Sequence, residues 1–226
     1  MANRFSCVIF DMDGTLTHTN ELIYAAFNHV AKKYQGKEYT PKEISAMFGP
    51  PEDGAIENLV GKDRLDAAMT DLVEFYRTNH DAMAGTYDGV IEILQFLKER
   101  GALIALFTGK GIKTAVITME KLGMKNFFDM VVTGSDVVNH KPSAEGIQKI
   151  INRFGLDPKN VLMVGDAVAD VKAAREAGVS IAAVVWDSYG KDSVLAMEVD
   201  YLFHSVKEFD RWIRAEFPTS VASLAQ

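Results

Sequence analysis

The stretch FSCVIFDMDGTLTHTNEL, residues 5–22, ends an apolar run in two aspartates one residue apart, followed by glycine and threonine. A strand that terminates in Asp11 and Asp13 admits two readings. An Asp-Gly pair makes a good turn after a strand. Paired carboxylates at a strand's end also supply what a metal ion and a phosphoryl group need. The residues that follow the other strands decide between them.

Further apolar, β-rich runs recur at 102–107, 130–133, 161–164, 181–185 and 201–203. They do not alternate, which suits a sheet covered on both faces. Between them lie amphipathic stretches. Val90, Ile93, Leu94 and Leu97 keep helical spacing before Gly101, and residues 167–177 do so before Gly178. Strand–helix alternation of this kind predicts a parallel α/β sheet.

One long gap breaks the alternation. Residues 17–85 show no strand and read as helices. Leu22, Ile23, Ala26, Phe27 and Val30 form one apolar face. Thr40-Pro41-Lys42-Glu43 is a capping box with proline at the first helical position, so a second helix starts there and runs to Gly49-Pro50-Pro51. A third covers 55–60, stopped by Gly61, and Leu65, Met69, Leu72 and Tyr76 mark a fourth. The expected division is a catalytic core of residues 1–16 and 86–226 and a helical insert of 17–85. After Trp212 a closing helix and a frayed end are expected.

The 226 residues are 48% hydrophobic and 24% charged, as in an ordinary soluble domain. A formal charge of −7 opposes nucleic-acid and membrane-surface partners, which are themselves anionic. Cys7 is the only cysteine, so no disulfide framework exists, and five scattered histidines show no zinc spacing. The N-terminus has no signal-peptide layout and no run is long enough to span a bilayer, so a cytoplasmic protein is expected.

In open α/β sheets ligands sit beyond the carboxyl ends of the strands. There the chain places Asp11 and Asp13, then Thr108 and Gly109 in LFTGKG, and then Asp166 and Asp170 in VLMVGDAVAD. Lys141 stands in HKP between the third and fourth strands. Each has a bland reading. Asp166 could cap the next helix, Asp170 could favour its first turn, and Lys141 could be a solvated surface lysine. Their shared position at strand ends is the stronger signal.

The combination suits phosphoryl transfer. Asp11 can attack phosphorus, and Asp13 can protonate the leaving oxygen and then deprotonate water. A phosphate dianion would be repelled by these carboxylates, by about 4 kcal/mol per pair at 4 Å and an effective dielectric near 20. Mg²⁺ resolves this, with Asp11 and Asp166 as ligands, the backbone carbonyl of Asp13 as a third and Asp170 in support. Lys141, extended by Pro142 at the start of a helix, faces the phosphoryl oxygens with the Thr108 hydroxyl and Gly109 amide.

DMDGT, the Thr-Gly after the second strand, Lys141 in HKP, and GDAVAD occur in the order that resembles the haloacid dehalogenase-like superfamily. The likeness spans nearly the whole chain. It implies a Rossmann-like core flanked by helices, a Mg²⁺-dependent aspartyl-phosphate intermediate, and an all-helical cap that closes over the substrate. Within the superfamily the chain resembles the phosphoglycolate-phosphatase and inorganic-pyrophosphatase group, and Thr19-Asn20-Glu21-Leu22-Ile23 and Phe48-Gly49-Pro50-Pro51 resemble the pyrophosphatase-like branch in particular. Asn20, Glu21 and Gly49 are therefore candidates for substrate contact across a closed cap. The expected partner is a small phosphorylated metabolite or pyrophosphate.

Three positions depart from the family pattern. His18 stands where an aspartate is common, Ala167 replaces a polar residue after GD, and residues 47–51 lack the basic residue of phosphosugar mutases. The missing cation disfavours a mutase, and Asp13 disfavours dehalogenation, which needs no proton on a leaving oxygen. A non-catalytic binding protein would have no need of both a nucleophile and an acid.

Overall fold

The computed structural model describes residues 3–49, 51–188 and 190–218. In chain order the elements are β1 (Cys7–Phe10), β2 (Thr17–His18), α1 (Asn20–Gln35), α2 (Pro41–Ser45), α3 (Glu52–Val60), α4 (Leu65–Met83) and β3 (Gly85–Thr86). There follow α5 (Val90–Glu99), β4 (Leu103–Phe107), α6 (Ile112–Lys121), β5 (Met130–Val132) and α7 (Glu145–Phe154). The chain continues through β6 (Val161–Gly165), α8 (Val168–Ala177), β7 (Ser180–Val184), α9 (Lys191–Leu195), β8 (Tyr201–Phe203) and α10 (Val206–Glu216).

Six strands form one parallel sheet in the order β5-β4-β1-β6-β7-β8. Counted within the sheet this is the doubly wound Rossmann order, whose direction reverses at its first strand. That reversal opens a crevice at the carboxyl ends of β1 and its neighbours. Alternate β1 side chains enter opposite layers. Val8 and Phe10 join Leu94, Leu97 and Phe209 on one face, whereas Cys7 and Ile9 join Ile147, Ile150 and Val171 on the other. Burial on both faces accounts for the continuous apolar runs.

Helices α1 to α4 lie between β2 and β3, which pair antiparallel through Thr17–Thr86 and His18–Gly85. The sequence reading expected no strand there, because two residues are too few to show a pattern. The insert has its own apolar cluster, including Leu22, Phe27, Ile56, Leu72 and Tyr76, and this cluster takes in Ile117 of α6. The Tyr76 hydroxyl lies 2.9 Å from Thr118 Oγ1 and His80 Nε2 lies 3.3 Å from it, so buried polar contacts also tie α4 to α6.

The Thr40–Glu43 capping box forms, but α2 ends at Ser45 rather than near residue 49. Met47 and Phe48 instead bond back to Ile44 and Ser45, turning the chain before α3. Helix α3 begins at Glu52, three residues earlier than expected, because Pro51 accepts the Gly54 and Ala55 amides. Helix α10 starts at Val206 and includes Trp212, since the Ser205 hydroxyl caps it by accepting the Glu208 amide. Pro50 and the tail beyond residue 218 lie outside the described residues. Among the described residues no helix is long and apolar enough to cross a membrane.

Gly146 of α7 sits against Phe107, and a methyl group there would fall 2.2 Å from Phe107 Cε2. Gly146→Ala is expected to destabilise the fold by about 1–3 kcal/mol through overpacking. Urea unfolding measures this, and an unchanged midpoint would refute the close approach.

Candidate active site

The loop after β1 is wound about a single carbonyl. The amides of Thr15, Leu16 and Thr17 all approach the Met12 carbonyl at 2.9–3.3 Å, and Gly14 donates to the Thr17 carbonyl at 2.9 Å. Gly14 takes φ +79°, which side chains other than glycine resist. Asp11 remains in register with the sheet through its amide, 2.9 Å from the Val164 carbonyl. The tight loop brings Asp13 to the same cavity as Asp11.

Asp11, Asp166 and Asp170 are buried, and one oxygen from each lies within 4.8 Å of the others. Lys141 Nζ bridges two of them, 2.8 Å from Asp11 Oδ1 and 2.6 Å from Asp170 Oδ1. The same ammonium lies 4.6 Å from the centre of the Phe107 ring. Asp166 accepts the Thr15 hydroxyl at 3.0 Å, and its backbone carbonyl accepts Ser188 Oγ at 2.5 Å. Asp170 accepts the Ala167 amide at 3.0 Å, so it caps α8 while facing the lysine.

Burial pushes the Asp11 carboxyl up to about 7, against the pull of Lys141 and with the repulsion of Asp170 and Asp13. Burial, then Asp11 and Asp170, raise Asp166 well above the usual range. Burial disfavours the Lys141 ammonium, but Asp11 and Asp170 outweigh it and hold the proton on. One ammonium does not balance three carboxylates, and an all-oxygen donor set of this kind fits a hard divalent cation.

The remaining sequence candidates distribute unevenly. Thr108 and Gly109 stand on the cavity wall beyond β4, and Asn20 and Gly49 stand on the wall made by the insert. Glu21 does not line the cavity and is exposed. Neighbours on a helix point about 100° apart, and it is Asn20, Ile23 and Phe27 that share the inward face. Asp13 is outside the three-carboxylate cluster, whereas Asp170 is a full member. Asp166 does not cap α8, since Ala167 holds that position. Lys141 precedes α7 by a turn rather than starting it, and its peptide bond to Pro142 is cis. His18 is exposed beside Gly85, its ring centre 5.7 Å from that of Tyr87, and lies off the cavity lining.

Two charged residues absent from the sequence reading also line the cavity, which holds about 250 Å³. Lys110 Nζ lies 3.4 Å from Asp13 Oδ2 and 3.9 Å from Glu52 Oε1. Burial opposes its charge, but Asp13, Tyr76 and Glu52 more than compensate. Glu52, at the first turn of α3, accepts the Gly111 amide at the start of α6 and the Thr114 hydroxyl. Lys110 was visible in LFTGKG two residues beyond Thr108; nothing local in the sequence marks Glu52.

Residues 8–184 match the family model described as haloacid dehalogenase-like hydrolase. The pyrophosphatase PpaX of Bacillus pumilus is 32% identical over 211 residues, covering 91% of this chain and 95% of its own. A crystal structure from Thermotoga maritima, provisionally named a beta-phosphoglucomutase, superposes with TM-score 0.68 at 30% identity over 88% of this chain and 94% of that one. A predicted phosphoglycolate phosphatase from Haemophilus somnus shares the fold, with TM-score 0.80 at 21% identity over 93% and 99% of the two chains.

A methyl group at Gly14 would fall 2.4 Å from Asp166 Oδ2. Gly14→Ala is expected to displace that carboxylate and lower divalent-cation affinity by about 10–100-fold, the usual effect of disturbing a ligand's surroundings. Titration calorimetry measures the affinity; a wild-type value would remove Asp166 from the cation site.

Proposed function

The chain belongs to the haloacid dehalogenase-like hydrolase family, and from that premise we propose that it is a Mg²⁺-dependent phosphohydrolase of pyrophosphate or a small phosphate monoester. The observation that carries this reading is Lys141 bridging Asp11 and Asp170 beside Asp166, with Asp13 and Thr108 in the same cavity. Pyrophosphate is supported by the names of the PpaX relatives and by the resemblance of the insert, and a phosphoglycolate-like ester by the wider phosphoglycolate-phosphatase and pyrophosphatase group that the chain resembles.

Asp11 attacks phosphorus and becomes an aspartyl phosphate. Asp13 gives a proton to the departing oxygen, then takes one from the water that attacks the aspartyl phosphate. Lys141, the Thr108 hydroxyl and the Gly109 amide neutralise and orient the phosphoryl oxygens. Asp11 and Asp166 would hold Mg²⁺, aided by the Asp13 carbonyl and by Asp170, and the ion would supply the positive charge that lets a phosphate dianion enter. Residues 17–85 act as a cap over this cavity and exclude water when closed. The substrate is a small phosphorylated metabolite or pyrophosphate, and the enzyme works in the cytoplasm.

A phosphosugar mutase is the second reading, favoured by the Thermotoga maritima likeness. The insert's share of the cavity lining speaks against it, because residues 20–55 place no lysine or arginine there. A reoriented sugar phosphate would need such a cation for its second phosphate.

Phosphate release from pyrophosphate, phosphoglycolate and hexose phosphates, with and without Mg²⁺, tests the proposal. Turnover of pyrophosphate or phosphoglycolate is expected, with hexose phosphates poor. Asp11→Asn should lower kcat by at least about 10³-fold, as loss of a nucleophile does. Absence of Mg²⁺-dependent release from every substrate would overturn the reading. A pH effect follows from Asp11, whose carboxyl sits near 7. Below that pH it holds a proton that the cation must displace, so Mg²⁺ affinity should fall roughly tenfold from pH 8 to pH 6. Calorimetry in buffers of different ionisation enthalpy would register the released proton.

A further inference from the structure

Lys110 has no task in the reaction just described, yet the structure holds it with care. Its side chain is 4% exposed and its ammonium is enclosed by Asp13, Glu52 and the Tyr76 ring. Its amide donates to Thr108 Oγ1 at 3.2 Å and its carbonyl accepts the Gly134 amide at 2.7 Å, so the backbone fixes where the side chain starts. The ammonium then passes over the Tyr76 ring, 4.7 Å from its centre, and stops 3.4 Å from Asp13 Oδ2.

The nearby anions are not equivalent. Glu52 lies farther off, at 3.9 Å, and both its oxygens already accept from Gly111 and Thr114. Asp13 is bracketed instead: the Thr19 hydroxyl donates to Oδ1, which leaves Oδ2 for the lysine. Asp11, Asp166 and Asp170 share the cavity and repel a fourth carboxylate. Asp13 keeps a way out, its side chain being 19% exposed.

We propose that Lys110 is a positioning residue for Asp13, holding that carboxyl group on the leaving-group side of the cavity against the repulsion of the other three aspartates. The inference rests on Asp13 acting as the proton donor. Lys110 itself neither gives nor takes a proton and forms no bond to substrate.

Leaving-group dependence tests this, because only a poor leaving group needs the proton. With Mg²⁺ present, kcat/KM would be compared on ethyl phosphate and on 2,4-dinitrophenyl phosphate. Lys110→Met is expected to cost at least about 30-fold on the first and no more than about threefold on the second, within the range that general-acid catalysis supplies. In an Asp13→Asn background the same change should cost no more than about twofold further, since the two residues act as a unit. Lys110→Arg should restore most of the ethyl phosphate activity. Thermal melts verify folding, and Lys110→Gln carries the same comparison if the Met variant does not fold. Equal losses on both esters, or a full additional loss without Asp13, would overturn the assignment, as would a loss confined to KM. A wild-type protein inert toward dinitrophenyl phosphate would instead sink the phosphohydrolase reading beneath it.

Discussion

The ammonium of Lys141 between Asp11 and Asp170 is the interaction on which the site depends. Three buried carboxylates gather within 4.8 Å at the reversal point of the sheet, and each unscreened pair costs several kcal/mol. Lys141 offsets part of that repulsion and joins the end of β1 and the first turn of α8 to the loop before α7. The offset is incomplete, and burial with the mutual repulsion of the carboxylates raises both Asp11 and Asp166 above the usual carboxylate range. A divalent cation offers the alternative to proton uptake. The arrangement is thus stable enough to fold and still short of positive charge.

The sheet order creates the place, and the insert closes one side of it. Because β4, β1 and β6 are adjacent, Thr108, Asp11 and Asp166 emerge at one rim despite lying far apart in the chain. Helix α4 is seated on α6 through Ile117, Thr118, Tyr76 and His80, so the insert shares buried apolar and polar contacts with the core. Glu52 adds a second tie by capping α6 from α3. Between these ties the insert lines the cavity with Ile23, Phe27 and Ala55 beside Asn20 and Glu52, and the sheet side brings the aspartates and two lysines.

Patterns with short periods were open to inspection. Apolar runs marked the strands because the sheet is buried on both faces, and Thr40 and Glu43 announced a helix start because their capping box is local. Helix and strand ends were harder, since Ser45 and Glu52 terminate or begin helices through backbone bonds that no residue type dictates. The β2–β3 pairing joins residues 17–18 to 85–86 and leaves no trace in either pair alone. Asn20 and Glu21 show the same limit within the site: both fit a contact by composition, but the angle between successive helix positions admits only one.

The chain by itself determined the α/β alternation, the helical insert after the first strand, and the acidic and basic residues waiting at the strand ends. Those follow from periodicity, turn chemistry and charge, all readable over a few residues. Only the tertiary structure decided that Asp170 stands with Asp11 and Asp166, that Asp13 is held between Thr19 and Lys110, and that Glu52 caps a helix 59 residues further along. The reason is physical: a buried charge takes its partner from whatever the packing brings within a few ångströms, and sequence separation has no bearing on that distance.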